Sequence, residues 1–127
     1  MADKGTTVLT FKPKTGPIQR IDFDWTSDSG GDVEYFVSSK LNGLILALIT
    51  DPDGTDVPTT LYDITIEDDK AVDVLVGVGA DRSFSAVESV AVPLDSGLPR
   101  PVATDTFTFK VANAGNAKKG LAQVFLK

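Results

Sequence analysis

The sequence predicts an all-β chain: an antiparallel β-sandwich of jelly-roll type, folded as a single domain over residues 1–127. Three observations carry this expectation. Short stretches along the whole chain alternate apolar and polar residues with a period of two, as strands with one buried face do. Gly, Pro, Asp and Ser gather between those stretches at fairly regular spacing, which supplies the turns. No stretch holds a sustained i, i+3, i+4, i+7 apolar stripe, apart from a weak one in RSFSAVESVA (82–91).

The elements follow in order. Thr7, Leu9 and Phe11 alternate with Val8, Thr10 and Lys12, until Pro13 and the turn KTGP stop the run, because proline offers no N–H to a ladder. Ile21, Phe23 and Trp25 then share one face, with Arg20, Asp22 and Asp24 on the other. SDSGGD (27–32) reads as a hairpin turn into a strand where Val33, Tyr35 and Val37 oppose Glu34 and Phe36. GLILALIT (43–50) is continuously apolar and short, so it reads as a central strand covered on both faces. Tyr62, Ile64 and Ile66 point inward in LYDITIED, and VDVLVGV (72–78) reads as another short strand. RSFSAVESVA is either one turn of helix over a barrel end or an irregular crossover. Phe107, Phe109 and Val111 oppose Thr106, Thr108 and Lys110, and GLAQVFL closes the chain with Ala122, Val124 and Leu126 on the buried phase. The long connections 51–59 and 77–101 suit jelly-roll crossings, and the Cys–Trp–Cys hallmark of immunoglobulin domains is absent.

Composition removes several chemistries. There is no Cys, hence no disulfide, thiolate metal site or cysteine nucleophile. There is no His, the usual general base near neutral pH and the commonest neutral metal ligand. A net charge of −6 argues against direct contact with nucleic acid, whose backbone is held by clustered Lys and Arg. The N-terminal MADKGTTVLTFK has no apolar signal core, and the longest apolar run, Leu44 to Ile49, is far too short to span a bilayer. The expectation is synthesis in the cytoplasm with no membrane partner. Acids concentrate in residues 51–95, where only Lys70 and Arg82 oppose them, whereas Lys4, Lys12, Lys14 and Arg20 gather near one terminus and Arg100, Lys110, Lys118, Lys119 and Lys127 toward the other. Were the termini to meet, the molecule would have an acidic and a basic pole, suited to orienting it on another protein.

Four groups of residues invite a functional reading. DPDGTD sets Asp51, Asp53 and Asp56 around Gly54, but its spacing departs from a calcium loop and matches a tight turn. GVGADRS has Gly77 and Gly79 two apart, without the Lys-Ser/Thr pair of a phosphate loop; it reads as a corner that Arg82 ties to Asp81 or a neighbouring carboxylate. Asp22 and Asp24 lie on one strand face at a separation near that of a glycosidase pair, but on the face away from the apolar side. Trp25, Tyr35 and Tyr62 could stack a sugar, yet each is in phase with core residues. No catalytic residue, metal ligand or cofactor is expected.

The order YDITIEDD, VDVLVGVGADRS, PRPV and TFTFKVANAGNAKKGLAQVFL resembles small structural proteins of tailed-bacteriophage virions. The resemblance spans residues 60–126 and includes Tyr62, Asp63, Asp73, Gly79, Arg82, Gly115 and Asn116, with Ala71 standing where the pattern has a turn glycine. It implies a non-enzymatic virion component, a capsid decoration (cement) protein on the capsid exterior, binding the major capsid protein and itself as a dimer or trimer. A tail or neck accessory protein and a carbohydrate-binding module are the alternatives. Residues 1–17 are expected to form an arm or edge strand, with Lys4, Leu9, Phe11, Lys12 and Lys14 as the interface residues.

Overall fold

A computed structural model describes residues 3–12, 18–93 and 100–127, and among them the chain is all-β, with no helix. Its strands are β1 (Thr6–Lys12), β2 (Gln19–Thr26), β3 (Val33–Val37), β4 (Leu41–Pro52), β5 (Asp63–Glu67), β6 (Glu88–Ala91), β7 (Arg100–Thr104), β8 (Phe107–Ala112) and β9 (Lys119–Leu126). They form two antiparallel sheets. The larger runs β1-β2-β9-β4-β6, with β7 also on β4, and the smaller runs β3-β8-β5.

The pairing nests like a folded ribbon, which is the jelly-roll arrangement: β2 lies beside β9, β3 beside β8, and β4 beside β6 and β7. The innermost partner of β5 is residues 73–82. These bond to β5 through Val74 N–H to Ile66 O (2.8 Å), Ile64 N–H to Gly79 O (2.8 Å) and Arg82 N–H to Tyr62 O (2.7 Å). β4 changes partner along its length, with Leu41–Ile45 on β7 and Ala47–Thr50 on β6. The register against β9 slips between Ile45 and Ala47, so the extra residue Leu46 sits at the change of partner.

The two-residue alternation decides what is buried. Ile21, Phe23 and Trp25 from β2, Ile64 and Ile66 from β5, Phe107, Phe109 and Val111 from β8, and Ala122, Val124 and Leu126 from β9 all enter one core. Phe23 bridges the sheets, stacked on Phe109 with centroids 4.3 Å apart and edge-on to Phe107 at 6.3 Å. Trp25 packs at 5.6 Å from Tyr62. Gly120 on β9 leaves room for the indole, since a Cβ there would lie 2.6 Å from Trp25 Cζ2.

Some expectations change. SDSGGD is a corner and not a hairpin, because β2 and β3 belong to different sheets. Asp28 makes that corner: its Oδ1 accepts from the N–H groups of Gly30 (2.9 Å) and Asp32 (3.0 Å). VDVLVGV is a succession of turns, with Val76 N–H bonded to Asp73 O, Val78 N–H to Leu75 O and Ala80 N–H to Gly77 O. The connection 77–101 is not one loop but contains β6. RSFSAVESVA supplies that strand after an irregular start. GLILALIT is a strand as expected, but no described element covers its outer face, where Leu44, Ala47 and Ile49 are half-buried. The turn KTGP lies outside the described residues.

The charges do not form two poles. Thr6, Thr26 and Lys119 align at one end of the large sheet, while Lys12, Arg20 and Leu126 mark the other. Lys4 and Lys127 are therefore at opposite ends. The acids divide likewise: Asp53 bonds beside Lys119 at the first end, and Asp69 beside Thr104 near the second.

Candidate assembly surface

The residues that carry the resemblance work on the structure of the loops, most of them around β5. Asp73 is the central one. Its Oδ1 accepts from the N–H groups of Ile66 (3.2 Å) and Leu75 (3.0 Å), and its Oδ2 from Gly77 N–H (2.9 Å). One carboxylate thereby fixes the coiled segment 73–77 to β5. Asp63 acts similarly, accepting from Asp81 N–H and from Asn113 Nδ2, both at 2.9 Å. Gly79 passes so close to β5 that a side chain would collide with the Ile64 carbonyl. Arg82 donates from Nε to Ala80 O (3.0 Å) and faces Glu88 at 3.6 Å, as the corner reading expects of it, with Glu88 in place of Asp81. Gly115 lies at φ 88° in the turn after β8, and Ser27 Oγ donates to its carbonyl at 2.6 Å. Asn116 is exposed in the same turn.

The backbone here is held in unusual conformations. Ala71 has φ 60° in the acid-rich turn, and Val76 has φ 57° in the coiled segment. Asp68 Oδ1 secures the first of these by accepting from Lys70 (2.9 Å) and Val72 (3.0 Å) N–H groups. Position 71, where the resemblance expects glycine, thus adopts the conformation that glycine favours.

Tyr62 is fully buried beside Trp25. Burial pushes its phenol up to about 12, with the Thr50 hydroxyl acting weakly the other way. The contact with Thr50 falls short of good hydrogen-bond geometry, and neither oxygen has another partner. Tyr62 is thus a neutral core residue at physiological pH. Trp25 is equally enclosed, so these two rings present no exposed platform; Tyr35 is half-buried against the core.

The carboxylate candidates are also occupied. Asp22 is clasped by Arg20, with Nε 2.8 Å from Oδ1 and Nη2 3.1 Å from Oδ2. Asp24 is exposed. Asp53 Oδ2 accepts from Thr55 (3.0 Å) and Asp56 (2.7 Å) N–H groups, and these bonds hold its carboxyl below the usual range. Asp24, Asp51 and Asp53 line an open groove of about 350 Å³ with Lys119, while Asp56 pairs with Lys119 at 3.6 Å. No group of three potential metal-ligating side chains converges among the described residues.

On the small sheet, Lys110 lies 3.0 Å from Glu67 and 3.7 Å from Glu34, and Lys4 reaches Glu34 at 4.0 Å. The Glu67 hydrogen bond, with Glu34 behind it, raises Lys110 above its ordinary value against the opposing effect of burial. This outer face is braced by its own charges.

β1 differs. It pairs with β2 on one side and, among the described residues, with nothing on the other. Of the expected interface residues, Leu9 packs partly against the core, Phe11 is 39% exposed, and Lys12 is exposed at the strand end. Lys4 has left the line of β1 and forms a two-bond bridge with Glu34 of β3. Lys14 lies outside the described residues. Sequence reasoning passed over Val8, which is 66% exposed; an apolar residue on the polar phase of the strand was the available signal.

No family model matches the chain, and no curated protein matches it. Among solved structures it is similar to a cupin domain from Bordetella pertussis Tohama I, at 13% identity and a TM-score of 0.40, covering 100% of this chain and 98% of that one. It is also similar to the enzymatically active domain of tailspike protein 4 of bacteriophage CBA120, at 14% identity and a TM-score of 0.34, covering 96% of this chain and 19% of that one. Likenesses this loose carry no argument about activity.

Proposed function

We propose that this chain is a non-enzymatic structural protein of a bacteriophage virion, a capsid decoration protein that binds the major capsid protein on the outside of the shell. The observation that carries the reading is the use made of the residues behind the resemblance: Tyr62, Asp63, Asp73, Gly79, Arg82 and Gly115 are each engaged in bracing the core and loops. The exposed side chains of Phe11 and Lys12 at the end of β1 support it further, since an aromatic and a basic group presented together suit a protein contact. Repeated over many shell sites, a contact of standard size, about 1,600 Å², suffices for stable decoration without chemistry.

The test is to add purified protein to empty shells of the parent phage and measure bound copies per particle. Saturable occupancy with a raised shell melting temperature is expected. Absence of binding to shells, with binding to isolated tails, would move the protein to the tail or neck; binding to a glycan array by the isolated protein would favour a carbohydrate module.

A further inference from the structure

The margins of the two sheets are not alike. β3 is screened by the N-terminal segment: Lys4 bridges Glu34 with bonds of 3.0 and 2.9 Å, and Asp3 Oδ1 accepts from Phe36 N–H at 3.3 Å. The partner of β5 on the opposite margin is wound into turns at 73–80. At the far margin of the large sheet, β6 has four residues and β7 carries Pro101. Short strands, proline and irregular edges are how sheets avoid pairing with other chains. β1 has none of these devices over its seven residues, TTVLTFK, and its margin bears no charge before the terminal Lys12.

We infer that β1 pairs antiparallel with β1 of a second copy, joining the two large sheets across a twofold axis. Full overlap of the strand places Leu9 on the axis, Val8 opposite Thr10 of the other copy, Thr7 opposite Phe11, and Thr6 opposite Lys12. No like charges face each other, because the one charged residue of each strand meets a threonine. Gly5, at φ 64°, turns the chain away toward β3 and ends the seam at Thr6, so Lys4 stays with Glu34. The contact is isologous and closes on itself, giving a dimer and not a fibre. The inference concerns the free protein and stands apart from the virion reading.

Positions 8 and 10 are both exposed on the outer face, so charges there test the seam without touching the core. Analytical ultracentrifugation of the wild type is expected to show twice the chain mass, and V8K/T10K, which sets lysine against lysine twice, to show a single chain that still unfolds in one cooperative thermal transition, with a midpoint no longer dependent on concentration. V8K/T10E sets lysine against glutamate across the same pairs and is expected to restore the dimer. A monomeric wild type, a V8K/T10K protein that remains dimeric, or a V8K/T10E protein that fails to dimerise would each overturn the inference. None of these results bears on whether the protein binds shells.

Discussion

The loops around β5 and the margin formed by β1 dispose of their bonding groups in opposite ways. Around β5, acids and glycines are turned inward: Asp73, Asp63 and Asp68 together accept from seven donors, and backbone strain at Ala71 and Val76 is held by those bonds. Along β1, Val8 and Phe11 are exposed and one whole row of backbone groups has no partner among the described residues. The comparison teaches that chemical character alone does not mark a site. What marks one is interaction capacity the fold has left unused, and among the described residues β1 combines exposed apolar side chains with an unpaired strand margin.

The first way to break the comparison is Asp73→Ala. It removes the acceptor of three backbone N–H groups, two of them on the segment that stands in for a strand, so a loss of about 3 kcal/mol is expected. Urea denaturation reads this as a lower midpoint; an unchanged midpoint would mean that the carboxylate does not hold the loop.

Tyr62→Phe sharpens it through pH. The folded phenol titrates near 12 against 10.0 for the ordinary group, so the folded state holds its proton longer than the unfolded one. That contribution is complete below pH 10 and is lost as pH rises toward 12, on the order of 2–3 kcal/mol across the window. Urea midpoints measured across that range should fall steeply in the wild type and less in the variant, the residual slope coming from Lys110. Equal slopes would contradict the assignment.

Two smaller effects complete the series. Ala71→Gly relieves a left-handed residue at the cost of unfolded-chain entropy, for a net gain of about 0.5 kcal/mol in thermal unfolding. Val8→Ser, at an exposed site, should change stability by less than about 0.5 kcal/mol in the same measurement made at a concentration where the protein is a single chain.

Much of the fold was legible because a period of two records which side chains enter a core. It does not record which strands pair. SDSGGD has the residues of a hairpin turn, yet Asp28 uses them to turn a corner between sheets, a distinction set by partners distant in sequence. VDVLVGV alternates like a strand, but Asp73 draws Leu75 and Gly77 toward its own carboxylate and coils the backbone, leaving Val76 outside. Continuous apolar character in GLILALIT suggested two covered faces, whereas no described element lies over the outer side, which leaves one buried face and one half-buried face. The sequence leaves residues 1–17 as an arm or an edge strand, and Thr6–Lys12 lies at a margin of the large sheet. The alternation sets Val8 on the outer phase with Thr10 and Lys12, but the expected interface rests on Leu9, Phe11 and the lysines, which leaves its 66% exposure as an apolar residue unused.

The most direct test of the account is sedimentation of empty shells with wild-type protein and with a variant in which Lys4, Lys12 and Lys14 are all changed to Glu. The account predicts saturable binding by the wild type and its loss in the variant, with both proteins folded. A variant that decorates shells as fully as the wild type would contradict the placement of the binding surface at the lysines flanking β1.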